Sequence, residues 1–219
     1  ALDHLADEVA AILILFLTLD IPAGEIRNDW PECLAILAVY ITDIGLSGWY
    51  LIPAAVVVIL ASFLDWRALS LRGRALLANW TALGMLTLAG IGLSGLFQTY
   101  LKTVFGRARM RHFDELGAFH FRPNFFDSDM SSFPSGHATT MGAVAAIVWL
   151  LHPPARPFIL PAAIIVAASR VVAKAHFPSD VVAGFGLGFA GAVMVALLFA
   201  RLGFVFRYSD AGGIVRKPS

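Results

Sequence analysis

Apolar residues in this chain come in long runs, separated by short stretches that carry most of the charge. The first run, Val9–Leu19, is short for a membrane crossing and needs residues 2–6 or Ile21 to reach a spanning length. Asp20–Pro31 is polar, with Pro22, Gly24 and Pro31 as breakers, and reads as a surface loop. Glu32–Ile44 is modestly apolar and fits either an interfacial helix or the entry to the next span. Trp49–Leu64 is the second span, with Trp49, Tyr50 and Trp66 as interfacial anchors. Ala75–Leu101 is the third, and its Gly84, Gly90, Gly92 and Gly95 point to close helix packing. Lys102–Phe133 is a long extramembrane loop, and Pro134 then opens the helix that continues as the fourth span, Met141–Leu151. Phe158–Val172 and Val181–Ala200 are the fifth and sixth, and Arg201–Ser219 is a polar tail.

This pattern predicts an all-α polytopic membrane protein, a six-transmembrane-helix bundle with residues 1–219 forming one membrane-embedded domain. Composition agrees. Hydrophobic residues make up 58% and charged ones 14%, where a soluble domain carries about a quarter charged. Mean hydropathy is +0.77. A net charge of +1 without a basic tract gives no case for a nucleic-acid partner. Cys33 is the only cysteine, which excludes an intrachain disulfide. Asp3, Asp7 and Glu8 stand where a secretory signal would be basic, so no cleavable signal is expected.

Six spans place the end of the third, the start of the fourth, the end of the fifth and the start of the sixth on one membrane face. The opposite face carries Arg67, Arg72, Arg74, Arg156, Arg201, Arg207, Arg216 and Lys217, with few acids. That excess predicts a cytoplasmic opposite face and a site facing the periplasm or outside.

Three polar blocks share the predicted site face. In Ser169–Asp180, Arg170, His176 and Asp180 sit where hydrocarbon meets water, a depth at which charge is costly unless paired or used. Pro178 and Ser179 signal a helix start, which puts Asp180 within reach of His176. A carboxylate that fixes one imidazole nitrogen leaves the other free to attack or to move protons. In Phe133–His137, proline, serine and glycine at a helix start present free amides at the positive end of a helix dipole, an anion site. The third block, Lys102–Arg109, adds two cations beyond the third span. Three cations, an amide nest and two histidines on one face suit a phosphate ester.

The spacings K-x6-R, P-S-G-H and S-R-x5-H-x3-D resemble the three-part signature of the type 2 phosphatidic-acid phosphatase superfamily. That superfamily holds bacterial lipid phosphatases, glucose-6-phosphatases and vanadium haloperoxidases. The resemblance runs from Lys102 to Asp180, and the six-span layout extends it over most of the chain. It implies that His176 is the nucleophile, that Asp180 orients it, and that His137 is the general acid and base. It further implies that Lys102, Arg109, Ser135, the Gly136 amide and Arg170 hold the phosphate. The expected substrate is a lipid phosphate monoester or pyrophosphate in the bacterial inner membrane, with no cofactor and no metal. One departure stands out: Met110 replaces the proline that usually follows the second basic residue.

A lipid phosphotransferase is a close variant of this reading. An anion transporter is disfavoured, because the charges sit at span ends and no repeat is visible. An inactive scaffold is disfavoured because the expected catalytic groups are all present. Phe119, Phe121, Phe125 and Phe126 are read as a guide for lipid in the headgroup layer.

Overall fold

The computed structural model describes residues 2–123, 127–209 and 213–217, so Phe125 and Phe126 lie outside the described residues. The chain opens with α1 (Leu2–Thr18) and α2 (Asp20–Glu25). α3 (Glu32–Asp43) and α4 (Gly48–Phe63) follow, then the long α5 (Leu71–Phe105) and the short α6 (Phe113–Leu116). α7 (Gly136–Leu151), α8 (Arg156–Val172) and α9 (Pro178–Arg201) complete the bundle. Two three-residue strands, β1 (Phe206–Tyr208) and β2 (Ile214–Arg216), pair antiparallel at the end.

By length and composition four stretches can cross a membrane: Glu32–Phe63, Leu71–Phe105, Pro153–Val172 and Pro178–Arg201. A fifth is the pair Ala6–Thr18 and Asp20–Asn28, bent by 52°. α7 is apolar but has only 16 residues, about 24 Å of helix against a hydrocarbon core of about 30 Å. The expected six crossings thus become four by this measure, or five with the bent pair. By the same measure Glu32–Ile44 runs with α4 in a single 32-residue stretch, Glu32–Phe63, in line with the reading of it as the entry to the second span.

Two sequence readings need correction. Asp20–Pro31 is not a surface loop but a short helix and a 3₁₀ turn, with Asp20 and Arg27 buried. Both side chains have partners in the fold, and a polar sequence does not reveal that. The tail beyond Arg201 is not uniformly polar surface either. Phe206 is fully buried in the core formed by α5, α7 and α9.

α7 and α9 are the tightest pair, and glycines explain why. A methyl added at Gly142 would overlap the carbonyl of Phe185, one at Gly188 that of Thr139, and one at Gly184 that of Ser135. Lipid tails are as apolar as leucine, so close backbone packing rather than the hydrophobic effect holds such helices together. Gly84 and Gly90 also pack closely, as their sequence spacing suggested, but Gly92 and Gly95 face open space. Outward-facing Phe63, Leu96, Phe158 and Met194 are each more than two-thirds exposed, a surface suited to lipid rather than water.

Candidate active site

The site is assembled from helix ends. α5 stops at Gly106, whose left-handed φ of 55° lets its N–H cap the Lys102 carbonyl at 2.9 Å. Lys102 therefore sits in the last turn, and the chain reverses at once into Arg107 and Arg109. Arg109 is held by its Nε on the Ser128 carbonyl (2.7 Å) and its N–H on the Asp129 carbonyl (2.9 Å). Met110, the departure from the family pattern, is fully buried with Ala118 and Phe177. Packing anchors the chain where a proline ring would otherwise stiffen it.

α7 begins at Gly136 with Ser135 as its N-cap. Serine at that position normally accepts a bond from a first-turn amide, but here its hydroxyl makes no capping bond. Ser135 Oγ is buried and has no hydrogen-bond partner among the described residues. Its backbone N–H donates to the Asp180 carbonyl at 3.0 Å, which ties the start of α7 to the start of α9. Arg170, at the end of α8, donates through Nη1 to Thr42 Oγ1 at 3.1 Å, while its buried Nε is also unpartnered among the described residues. A buried polar atom left without a partner costs roughly 1–3 kcal/mol. Both such atoms lie at helix ends, Ser135 at the start of α7 and Arg170 in the last turn of α8.

His176 lies in the turn between α8 and α9 and is 1% exposed. That turn folds back by donating the Ala175 and His176 amides to the Arg170 carbonyl, with Lys174 at a left-handed φ of 58°. Burial pushes the His176 imidazole down to about 4, against the upward pull of Asp180 and assisted by Lys102 and Arg170. The ring is neutral at pH 7, the form that can act as a nucleophile.

Asp180 stands at the third position of α9, where its Oδ2 accepts from the Phe177 N–H at 2.9 Å. It is 3.7 Å from His176 Nδ1, too long for the direct hydrogen bond expected from sequence. Ser132 covers the gap, with Oγ 2.5 Å from Asp180 Oδ2 and 3.4 Å from His176 Nδ1.

The structure therefore brings the predicted residues together. Lys102, Arg109, Arg170 and His176 all act electrostatically on His137. A cavity of about 440 Å³ opens beside this cluster, lined by Gly136, His137, Gln98, Gly92, Gly95 and Leu96. It is the open space above the two glycines. Among the described residues, no three His, Cys, Asp or Glu side chains are grouped to hold a metal. Lys174 lies to the side, bonded to Asn28 at 2.9 Å.

Three residues at the site were missed in the sequence. Arg107 is fully buried and pairs with Asp180 at 2.6 Å and with Asp20 at 2.8 Å. Asp20, at the bend between α1 and α2, is also fully buried, as is Ser132. Asp20 carried one usable signal, a carboxylate directly after an apolar run, where charge needs a partner.

A buried histidine–carboxylate pair with Lys102, Arg109 and Arg170 around it, at the ends of apolar helices, has the make-up of a membrane-embedded phosphoryl-transfer site. Comparison with known proteins places it further: the PAP2 superfamily model matches residues 83–204, and the chain belongs to that superfamily. It is 34% identical over 205 residues to a lipid A 1-phosphatase of Rhizobium johnstonii, covering 92% of this chain and 82% of the relative. A lipid A 1-phosphatase of Rhizobium etli is 32% identical over 207 residues, covering 93% and 87%. Among solved structures, the PAP2 type phosphatidylglycerolphosphate phosphatase of Bacillus subtilis superposes with a TM-score of 0.60 at 22% identity. That match covers 90% of this chain and 96% of the other. Aquifex aeolicus LpxE gives 0.54 at 21% identity, covering 80% and 92%. At these identities the two structures speak for the shared fold.

Proposed function

We propose that the protein is an integral membrane lipid phosphatase that removes the 1-phosphate of lipid A through a phosphohistidine intermediate. The observation that carries the reading is the neutral, buried His176 beside Asp180 and within the electrostatic reach of Lys102 and Arg170. The choice of lipid A over other lipid phosphates is supported by the two Rhizobium relatives, each matched over more than nine-tenths of this chain.

His176 attacks phosphorus, and the bond from phosphorus to the lipid oxygen breaks as the new N–P bond forms. The negative charge of bound phosphate offsets Lys102, Arg109 and Arg170 around His137, so that His137 takes up the proton it gives to the departing oxygen. It then takes a proton from the water that attacks phosphorus and releases inorganic phosphate, which frees His176. Lys102, Arg109, Arg170, Ser135 and the Gly136 amide hold the phosphate oxygens and carry the charge of the transition state. Fixed cations do the work a metal ion performs elsewhere, so catalysis is metal-independent. The cavity beside His137 takes the lipid part of the substrate, on the side where the leaving oxygen is protonated.

The bent pair and α7 complete six crossings in this reading. The site faces the periplasm or outside of the inner membrane, opposite the basic loops at Arg67–Arg74 and Arg156.

The test is phosphate release by the purified protein in detergent with EDTA, across lipid A, phosphatidylglycerophosphate, phosphatidic acid and undecaprenyl pyrophosphate. The reading predicts release from lipid A in preference to the others, lost in His176→Ala. Preference for another lipid would overturn the substrate assignment, and wild-type activity in His176→Ala would overturn the mechanism.

A further inference from the structure

Arg107 and Asp20 belong to none of the three blocks' assigned positions, and Asp20 lies outside the matched segment 83–204. Yet both meet the site in one dry network. Arg107 is 0% exposed and all five of its N–H groups are used. Nη1 donates to Asp180 Oδ1 (2.6 Å) and Ser179 Oγ (2.8 Å), and Nη2 to Asp20 Oδ2 (2.8 Å) and the Ala118 carbonyl (2.8 Å). Nε takes the same carbonyl at 3.1 Å. The guanidinium lies 4.3 Å from the centroid of Phe177, with Phe16 at 5.1 Å and Phe121 at 5.6 Å. Asp20 is held in turn by the Ser179 N–H (3.1 Å) and hydroxyl.

Such a network is a poor device for stability, because desolvating three charges offsets most of what their attraction returns. Arg107 is no phosphate ligand either, since every donor is committed inside the protein. What the network does is define one carboxylate. Arg107 takes Oδ1 of Asp180, leaving Oδ2 for Ser132, the Phe177 N–H and His176.

We infer that Arg107 and Asp20 are positioning residues for the catalytic pair: Arg107 fixes the Asp180 carboxylate toward His176, and Asp20 fixes Arg107. The inference rests on the roles proposed above for His176 and Asp180. It makes the bent pair α1–α2, which supplies Asp20 and Phe16, part of the catalytic unit.

The full chain in detergent provides the test, with Asp20→Asn, Arg107→Lys, their combination and His176→Ala compared on the best lipid substrate. Lysine keeps the charge but cannot bridge two carboxylates as the guanidinium fork does. Each single variant should lower kcat by roughly 10–100-fold, the range for outer-shell partners that orient ligand histidines in metal sites. KM and inhibition by inorganic phosphate should stay at wild-type values, because Lys102, Arg109 and Arg170 are untouched. The combination should cost little more than the worse single change, since both act through Asp180. A folded Asp20→Asn with wild-type kcat would overturn the inference. So would losses confined to KM and phosphate inhibition, or losses that multiply. Should Arg107→Lys fail to fold, the near-isosteric Asp20→Asn carries the test alone. Full activity in His176→Ala would instead sink the underlying mechanism, which keeps the two failures distinct.

Discussion

Ser132 Oγ lies 2.5 Å from Asp180 Oδ2 and only 3.4 Å from His176 Nδ1, so the hydroxyl bridges a pair that does not touch directly. Removing it leaves Asp180 with Arg107 and the Phe177 N–H, which still hold the carboxylate. Ser132→Ala should therefore cost about tenfold in kcat, near the low end for outer-shell partners, with KM unchanged. Steady-state kinetics on the lipid substrate checks this. A loss as deep as that of Asp180→Asn would mean that Ser132 acts on the substrate itself.

Ser135 separates function from stability. An N-cap serine changed to alanine usually costs about 1 kcal/mol, yet this hydroxyl caps nothing and is left unpartnered. Ser135→Ala should leave the thermal midpoint in detergent unchanged, or raise it slightly by removing a buried orphan. Activity should fall about 100-fold, as when one donor to a transition-state oxygen is lost. Thermal melting and phosphate release on the same sample decide it.

The buried His176 imidazole, pushed down to about 4, sets a pH window. A free histidine titrates near 6.5, so between about 6.5 and 4 the unfolded chain binds a proton that the folded chain refuses. Folded-state stability from this group is therefore present above 6.5 and falls as pH drops toward 4. Nitrogen-15 NMR of labelled histidine should show the His176 ring neutral at pH 5.5, in the protein without substrate. A midpoint near 6.5 would contradict the burial argument.

Gly106 is the hinge that delivers the first basic block. Its φ is 55°, and a methyl there would run into the Arg122 carbonyl. Gly106→Ala should destabilise the protein by at least 1–2 kcal/mol, the cost of a left-handed non-glycine residue. Displacement of Arg107 and Arg109 should lower activity further. A melting curve and activity assay that match wild type would show that the loop yields easily.

Much of this was legible in the chain. Hydropathy marked α4, α5, α8 and α9 because a lipid-facing helix must be apolar along its whole length. His137, Arg170, His176 and Asp180 stood out because charge at a span end needs a reason. The Asp20–Arg107 pair was not legible, since its partners are 87 residues apart and no local spacing reports such a contact. Phe206 was missed because the tail's apolar residues are interleaved with Arg201, Arg207, Arg216 and Lys217, which hides which of them packs inward. The number of crossings was less legible because α7, though apolar, has only 16 residues.

The central claim is that phosphate passes through His176. The most direct measurement is an alkaline quench during turnover, followed by mass spectrometry of the peptide containing residue 176. Wild type should carry phosphate on His176, and His176→Ala should carry none. Active enzyme with no phosphate on His176, or with phosphate on another residue, would contradict the account.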